Sequence, residues 1–230
     1  MFRNETGLEC APRSVSLRSL LKNMDYATPT RFNEIFRRIG ISGLSAGDIF
    51  ADLKKRYHED HRKYHNLSHI DRMLGWLDAT GESNDSVELA IWFHDAVYDP
   101  LGSDNEAQSA RYFRDYPGKF IPKSISEEIE RLILATDPTQ PRSGRADENL
   151  IVDIDLSILG ASPDHYLAYR NAIRWEYSAV SEVNFVAGRR SILLRFLSQR
   201  IYSTDYFFER FERQARLNIQ EELEVLEQRE

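Results

Sequence analysis

Four side chains that suit a divalent metal ion lie in three separate segments of the sequence. His69 ends the run Tyr-His-Asn-Leu-Ser-His that also contains His65, the adjacent pair His94-Asp95 comes next, and Asp155 follows. Imidazole and carboxylate groups bind zinc, iron, manganese and nickel ions. Adjacent residues on a helix point about 100° apart, so His94 and Asp95 can reach one ion only where a helix ends or bends. We therefore interpret the set as a metal-hydrolase site.

The two histidines of the first run could share or divide the chemistry. His65 and His69 are four residues apart and are neighbours on one helix face if a helix runs through both. Both could chelate one ion, or one could bind metal while the other transfers protons. Asp153 and Asp155 are two apart in an apolar helix and point in different directions. At most one should face the same cavity as His94, and the spacing does not choose between them.

The other histidines have a simpler interpretation. His58 and His61 lie in a polar stretch, where a surface position is commoner than metal ligation. His165 follows Pro163-Asp164 and fits the first turn of a helix.

The composition is that of a soluble globular protein, with 41% hydrophobic and 29% charged residues among 230. No apolar run approaches the ~20 residues of a membrane helix, and the first residues lack the apolar core of a secretory signal. A single cysteine, Cys10, indicates a reducing compartment, so we expect a cytoplasmic protein without membrane attachment. The formal charge of −7 argues against non-specific nucleic-acid binding, which depends on cationic contacts to phosphates.

Helical periodicity dominates the chain, and the strand pattern is almost missing. Nine of the predicted helices cover residues 17–24, 32–39, 46–62, 86–94, 104–112, 149–159, 163–180, 183–199 and 204–226. Another is capped by Asn66 or Ser68 and ends at Gly81. A further helix begins with a capping box at residues 124–127. The clearest loop is 137–145. We predict one all-α domain over residues 1–230, with a core at about 45–200 on which the N- and C-terminal helices pack.

The ordered motifs resemble the HD superfamily of metal-dependent phosphohydrolases. The resemblance rests on residues 64–70, on His94-Asp95 and on Asp155-Leu156-Ser157. The catalytic domain of cyclic-nucleotide phosphodiesterases is similar, with a Tyr-His-Asn segment one turn before the first metal histidine, a His-Asp pair and a final Asp-Leu-Ser. Over almost its whole length the chain looks like a bacterial family of predicted HD-superfamily phosphohydrolases. That second likeness rests on residues 92–99, 104–106, 134–136, 153–160 and 174–177.

The resemblance implies a single HD-domain helical bundle and assigns roles by position. It makes His69, His94, Asp95 and Asp155 the ligands of a divalent ion, which could be zinc, iron, manganese, nickel or magnesium. Asp155 is preferred over its neighbour two residues earlier because it directly precedes Leu-Ser. His65 corresponds to the proton donor for the leaving alkoxide, and Asp95 or Asp155 would orient the attacking water.

Other polar residues are candidates for contact with the substrate. Arg72 and Arg174 could offset charge on a phosphoryl group, although a solvated arginine is the commoner outcome for either. Asn105 and Glu106 could line the mouth of the site, and a helix-cap role for that acidic cluster is an equal alternative.

One departure from related proteins bears on the number of ions. They often carry a further histidine after a Leu-Ala-Thr segment, whereas Asp137 stands there in this chain. We therefore expect one ion per chain, with Asp137 as an optional ligand for a harder metal.

The function expected from this resemblance is cleavage of a phosphomonoester or phosphodiester, in a nucleotide or another small phosphorylated metabolite. The expected partners are that substrate and, as an option, a second copy of the chain. The main alternative is a catalytically silent HD-type module that binds a metal or a ligand. A di-iron oxygenase is a third reading, which the absence of the downstream histidine disfavours.

Overall fold

Apolar side chains that recur every three or four residues build the observed architecture. The computed structural model describes residues 25–41 and 45–228, in which there are ten α-helices and no strand. The helices are α1 (Pro29–Ile39), α2 (Ala46–Arg56), α3 (Leu67–Thr80), α4 (Asp85–Phe93), α5 (Asn105–Asp115), α6 (Lys123–Ala135), α7 (Ala146–Asp155), α8 (Pro163–Glu176), α9 (Glu182–Leu197) and α10 (Asp205–Glu227). Two short 3₁₀ helices, Pro117–Phe120 and Leu156–Gly160, complete the bundle.

Polar caps set the start of five helices. An oxygen of the residue before the helix accepts a hydrogen bond from a backbone N–H in the first turn, which otherwise has no partner in the helix. The capping residues are Thr28, Ser45, Asn66, Asn84 and Ser181. Because Asn66 caps α3, the helix begins just after His65 and carries His69 in its first turn. Gly81 ends the same helix in the left-handed region, with φ at 74°.

Helix α4 lies at the centre of the bundle. Every one of its residues from 86 to 93 is buried. The Trp92 ring packs edge-on against Phe32 of α1 and Phe50 of α2, and Phe93 packs against Phe113 of α5. Large aromatic side chains in such a core each contribute several kcal/mol, on the order of 3–5 on truncation to alanine. The polar pair that follows α4 is therefore attached to the most firmly packed element.

The 3₁₀ helix Leu156–Gly160 packs closely on α10. A Cβ placed on Gly160 would lie 2.5 Å from Cβ of Phe211, which explains why this position has no side chain. This contact fixes the end of α7, where Asp155 is the last helical residue.

The all-α class predicted from the sequence is confirmed, and several boundaries need correction. Helix α2 ends at Arg56, not at residue 62, and residues 57–66 are irregular. The capping box at 124–127 is wrong, because α6 begins at Lys123 after Pro122 and has no side-chain cap. The predicted helix at 149–159 is α7 followed by a 3₁₀ segment. The helix predicted at 17–24 lies outside the described residues, and the single-domain division stays a prediction.

Arg62 explains why residues 57–66 leave the helical path. Its fully buried guanidinium donates to the carbonyl oxygens of His65, Asp95 and Ala96, at 3.2, 2.7 and 3.3 Å. These bonds hold the loop that carries His65 against the end of α4. Within the residues that the structure describes, none of the helices is long and apolar enough to cross a membrane.

Candidate metal centre

His69, His94 and Asp95 form one buried group at the meeting of α3 and the end of α4. One ligand atom from each lies within 4.8 Å of the others. The Nε2 atoms of the two histidines are 3.3 Å apart, and Asp95 Oδ2 is 3.1 Å from His94 Nε2 and 3.6 Å from His69 Nε2. Two donors that each lie about 2.1 Å from an ion at a tetrahedral angle are about 3.4 Å apart. The three side chains therefore have the spacing of ligands to one divalent ion.

The hydrogen bonds around this group also fit a cation. His94 Nδ1 lies 2.9 Å from the carbonyl oxygen of Ile91, so Nδ1 carries the proton and donates it. Nε2 then presents its lone pair to the group, as in histidines that bind metal. Asp95 Oδ2 is buried and accepts no hydrogen bond from the described residues. A buried carboxylate oxygen without a donor is costly, and a metal ion would satisfy it.

Asp155 lies beside this group, and Asp153 does not. Oδ1 of Asp155 is 3.1 Å from His69 Nε2 and 3.9 Å from His94 Nε2. Asp153 is fully buried on another face of α7, where its carboxylate accepts from the backbone of Ser203 and Thr204. The structure thus separates the two acids between which the spacing could not choose, although the ligand role of Asp155 stays a prediction.

Burial and the neighbouring charges shift the pKa values of the group in opposite directions. Burial alone would lower the pKa of His94, but the Asp95 carboxylate outweighs it and raises that pKa to about 9. Burial would raise the pKa of Asp95, yet the three nearby imidazoles lower it well below its usual range. For His69 burial prevails and lowers the pKa. Asp95 is therefore an ionised carboxylate balanced by the His94 imidazolium, whose Nε2 proton a metal ion would replace on binding.

His65 stands outside the group of three and has its own carboxylate partner. Its Nδ1 lies 2.7 Å from Oε2 of Glu176, and its ring centroid is 6.0 Å from that of His69. Oε1 of Glu176 accepts from the backbone N–H groups of Lys63, Tyr64 and His65 at 2.6, 2.7 and 3.0 Å. The correction to α2 and the Asn66 cap place His65 in a loop, so it does not share a helix face with His69.

Tyr98 completes the surroundings of His65. Its hydroxyl donates to Glu176 Oε2 at 2.9 Å, and its ring stacks on the His65 ring with centroids 4.2 Å apart. Burial would lower the pKa of His65, but the charge of Asp95 and the hydrogen bond to Glu176 raise it. Burial would raise the pKa of Glu176, and the contact with His65 and the backbone donors lower it to about 2. This arrangement fixes the tautomer of His65 and leaves its Nε2 free to exchange a proton.

One cavity of about 240 Å³ is lined by His65 and by His94, Asp95 and Asp155, whereas His69 does not line it. Asn105 and Glu106 line it, and their contact with a substrate stays a prediction. The side chain of Asn105 accepts a hydrogen bond from the backbone N–H of Asp99 and donates one to its carbonyl oxygen, at 2.9 Å each. It therefore shapes the loop after His94-Asp95. The pKa of Glu106 is raised, by burial first and then by the charges of Asp95 and Asp137.

The two arginines that the sequence offered as substrate contacts lie elsewhere. Arg72 does not line this cavity; its guanidinium stacks over the outer side of the Tyr64 ring, 5.2 Å from the centroid. Arg174 pairs with Glu182 at 3.0 Å and donates to the carbonyl oxygen of Tyr177, which ties the end of α8 to the start of α9. Neither position gives contact with the metal group, because their helices present them to other surfaces.

Two functional candidates were missed in the sequence. Glu176 lies in a segment noted only for its likeness to a family, and its partners are more than 110 residues earlier in the chain. Arg142, in the loop before α7, lines the cavity and binds Asp153 Oδ1 and the Ile201 carbonyl oxygen through Nη2. Its Nη1 is buried without a partner among the described residues. The Pro- and Ser-rich composition of 137–145 identified a loop and gave no signal for a buried cation.

Asp137 lines the same cavity but has its carboxylate engaged. Oδ1 accepts from the backbone and the hydroxyl of Thr139 at 2.7 Å each, and Oδ2 lies 3.2 Å from Gln140 Nε2. Burial would raise the pKa of Asp137, and these hydrogen bonds lower it. The geometry assigns Asp137 to the turn after α6 and leaves its role as an optional ligand a prediction.

Comparison with known proteins adds no relative: no protein-family model, no curated protein and no solved structure matches the chain.

Proposed function

We propose that the chain is an HD-type, metal-dependent phosphohydrolase that acts on a small phosphorylated molecule. The observation that carries the proposal is a metal-type His-His-Asp group, of which His94 and Asp95 line a cavity that is also lined by a separate histidine held by a buried carboxylate. A metal group alone would suit a binding module. The additional pair of His65 and Glu176 supplies the proton transfer that hydrolysis needs.

Each residue can be given a role in this reaction. His69, His94, Asp95 and Asp155 would hold the ion, which when bound would activate water and polarise a phosphoryl oxygen. Asp95, whose Oδ2 accepts no hydrogen bond from the described residues, can also orient the attacking water. His65 would protonate the leaving oxygen through Nε2, while Glu176 keeps its ring in place and balances its charge.

Arg142 supports a phosphorylated substrate over a neutral one. Arg142 lines the cavity, and its buried Nη1 has no hydrogen-bond partner among the described residues. The planar guanidinium matches two oxygens of a phosphoryl group, and charge-assisted bonds of this kind are about twice as strong as neutral ones. We assign to Arg142 the role that was predicted for Arg72 and Arg174.

The size of the cavity favours a small substrate. Its volume of about 240 Å³ is below the range of roughly 300–1,000 Å³ common for drug-sized ligands. A phosphorylated metabolite or a mononucleotide fits this space better than a polymer does.

The second candidate is a silent module that keeps the ion and has lost turnover. The favourable position of the His65 pair weighs against it, because a binding module has no use for a histidine whose tautomer is fixed by a dedicated carboxylate. An oxygenase that needs a second metal histidine fits less well, since Asp137 occupies that position with both oxygens bonded.

The test measures metal content and phosphate release together. Wild-type protein with its metal quantified by mass spectrometry is offered nucleotides, sugar phosphates, aryl phosphomonoesters and phosphodiesters, and cyclic dinucleotides. We expect hydrolysis of at least one class, with Glu176→Gln reducing kcat by about 10²-fold or more at unchanged metal content. Glu209→Gln, an exposed acid on α10, is the matched control.

Two outcomes decide against the proposal. A metal-loaded wild-type protein that hydrolyses none of these classes would be the silent module. Hydrolysis that Glu176→Gln leaves at the level of Glu209→Gln would remove the proton-transfer pair from the mechanism.

A further inference from the structure

A second cavity adjoins the first and shares three lining residues with it. Its volume is about 420 Å³, and it is bordered by the start of α3, the 3₁₀ helix Leu156–Gly160, α8 and α10. Tyr64, Ile158 and Tyr169 line both cavities and form the wall between them. Arg72, which was predicted at the metal cavity, lines the second cavity instead.

The charged residues of the second cavity are all basic or able to become so. Lys63, Arg72 and His165 line it, and no aspartate or glutamate does. Neither Lys63 nor Arg72 has a carboxylate within ion-pair distance in the part of the chain that the structure describes. Each instead lies over an aromatic ring, Lys63 over Trp175 at 5.0 Å and Arg72 over Tyr64 at 5.2 Å.

This contrasts with the rest of the molecule. The chain has a net charge of −7, and most of its described arginines are paired with acids. The metal cavity is lined by five carboxylates, which are Asp95, Glu106, Asp137, Glu148 and Asp155. Two cations without acidic partners among the described residues, next to a histidine and in an acidic protein, form a local site for an anion.

The remainder of the lining defines the shape of the ligand. Ser68 and Ser157 place hydroxyl groups among the bases, while Trp76, Ala168 and Phe211 form an apolar part. The Trp76 ring is held edge-on against Phe211 with centroids 5.1 Å apart, so this part is pre-formed. Arg72 can donate two parallel hydrogen bonds, which suits the oxygens of a phosphate.

We propose that the second cavity binds a small organic phosphate, with its phosphate between Lys63, Arg72 and His165 and a flat apolar group against Trp76. This site is distinct from the proposed reaction centre, because Lys63 and Arg72 line only the second cavity. Its ligand would contact Tyr64, whose ring packs on His69 with centroids 4.9 Å apart. A bound phosphate would therefore lie one aromatic ring away from the metal group.

The test uses phenylphosphonate, which has a flat ring and a P–C bond that a phosphohydrolase does not cleave. Calorimetric titration of the wild-type protein should give saturable binding, tighter than that of inorganic phosphate, with a change in tryptophan fluorescence that Trp76→Phe removes. Arg72→Gln and Lys63→Gln should each weaken binding about tenfold or more, the usual loss for one charge-assisted contact. Arg72→Lys should recover part of the affinity.

The controls separate this site from the metal cavity and from general charge effects. Arg111→Gln removes an exposed arginine of α5 and should leave affinity unchanged. Phenylphosphonate would also meet Arg142 in the metal cavity, so Arg142→Gln should weaken any binding there and should leave unchanged the binding step that Trp76 fluorescence reports. Binding that survives Arg72→Gln and Lys63→Gln in folded protein, binding lost only in Arg142→Gln, or no saturable binding to the wild type would each overturn the proposal. None of these readouts depends on catalytic activity.

Discussion

The hydrogen bond from His94 Nδ1 to the Ile91 carbonyl decides what this histidine can do. It fixes the proton on Nδ1 and turns the Nε2 lone pair towards His69 and Asp95. His94 is also the first residue after α4, so the change of direction at the helix end lets two adjacent side chains meet. The sequence predicted this requirement from the angle between neighbours on a helix.

Removal of one ligand should release the ion. We expect His69→Ala and His94→Ala to lose bound metal almost completely, because each removes a neutral nitrogen donor and leaves an uncompensated buried carboxylate. Metal per chain, measured by mass spectrometry after dialysis, checks this. His58→Ala, which removes an exposed imidazole, should keep the wild-type content. Full metal content in His94→Ala would show that the group binds no ion through this residue.

His65 should affect turnover without affecting the ion. Its Nδ1 is engaged by Glu176, and it is not part of the group whose ligand atoms lie within 4.8 Å. We expect His65→Ala to retain the metal and to lower kcat about 10²–10⁴-fold, the usual contribution of a general acid. The pH profile of kcat should lose its alkaline limb in the same variant. If His65→Ala loses metal as completely as His69→Ala does, His65 is a ligand and the division of roles is wrong.

The two acids of α7 illustrate how a helix assigns different tasks to residues two positions apart. Side chains at this spacing point about 200° apart. Asp155 therefore meets His69, whereas Asp153 faces the backbone of Ser203 and Thr204, which precede α10, and also binds Arg142. Asp153 thus joins α7 to α10 and positions the cavity arginine.

These tasks can be separated by measuring stability and metal content in the same variants. We expect Asp153→Ala to lower the free energy of unfolding by about 3–5 kcal/mol, since buried donors and Arg142 lose their acceptor. Asp155→Ala should cost less than about 1 kcal/mol in the presence of a chelator and should lose the metal. Urea unfolding with EDTA and metal analysis without it give the two readouts. The opposite pattern would exchange the roles of the two acids.

The helices were predictable where local signals set them, and the loop that carries His65 was not. Caps such as Asn66 and the stop at Gly81 are readable because their partners are within a few residues. Residues 57–62 looked like a continuation of α2, because Tyr57 keeps the apolar spacing. What holds this loop is Arg62, which binds carbonyl groups more than 30 residues away, and no local pattern encodes such bonds.

At the scale of the whole molecule, the functional site was also predictable only where local sequence motifs mark its residues. The ordered His and Asp motifs indicated the residues that the structure brings together. Glu176 and Arg142 were missed because their importance comes from partners distant in the sequence, at residues 63–65 and at Asp153 and Ile201. Arg72 was assigned to the metal cavity from its place near His69, but the wall formed by Tyr64 puts it in the second cavity.

Glu176 links distant parts of the fold as well as serving His65. It is the last residue of α8, its side chain is fully buried, and it accepts three backbone N–H groups of the loop before α3 and the hydroxyl of Tyr98. The carboxylate therefore joins α8, the His65 loop and the segment after the metal pair. Loss of this carboxylate should therefore lower the free energy of unfolding of the protein.

The pKa of Glu176 sets the pH range of this contribution. Its pKa is about 2 in the folded chain against an ordinary 4.5, so the unfolded state takes up the proton first as pH falls. The stabilisation is therefore complete above about pH 4.5 and is lost as the pH decreases towards 2.

We expect Glu176→Gln to lower the free energy of unfolding by about 1–3 kcal/mol at pH 7. The difference from wild type should shrink steadily between pH 5 and pH 3, whereas Glu209→Gln should show no such trend. Urea unfolding over this pH series checks the prediction, and a difference that stays constant with pH would mean that Glu176 stabilises the fold through its shape and neutral hydrogen bonds, with no contribution from its charge.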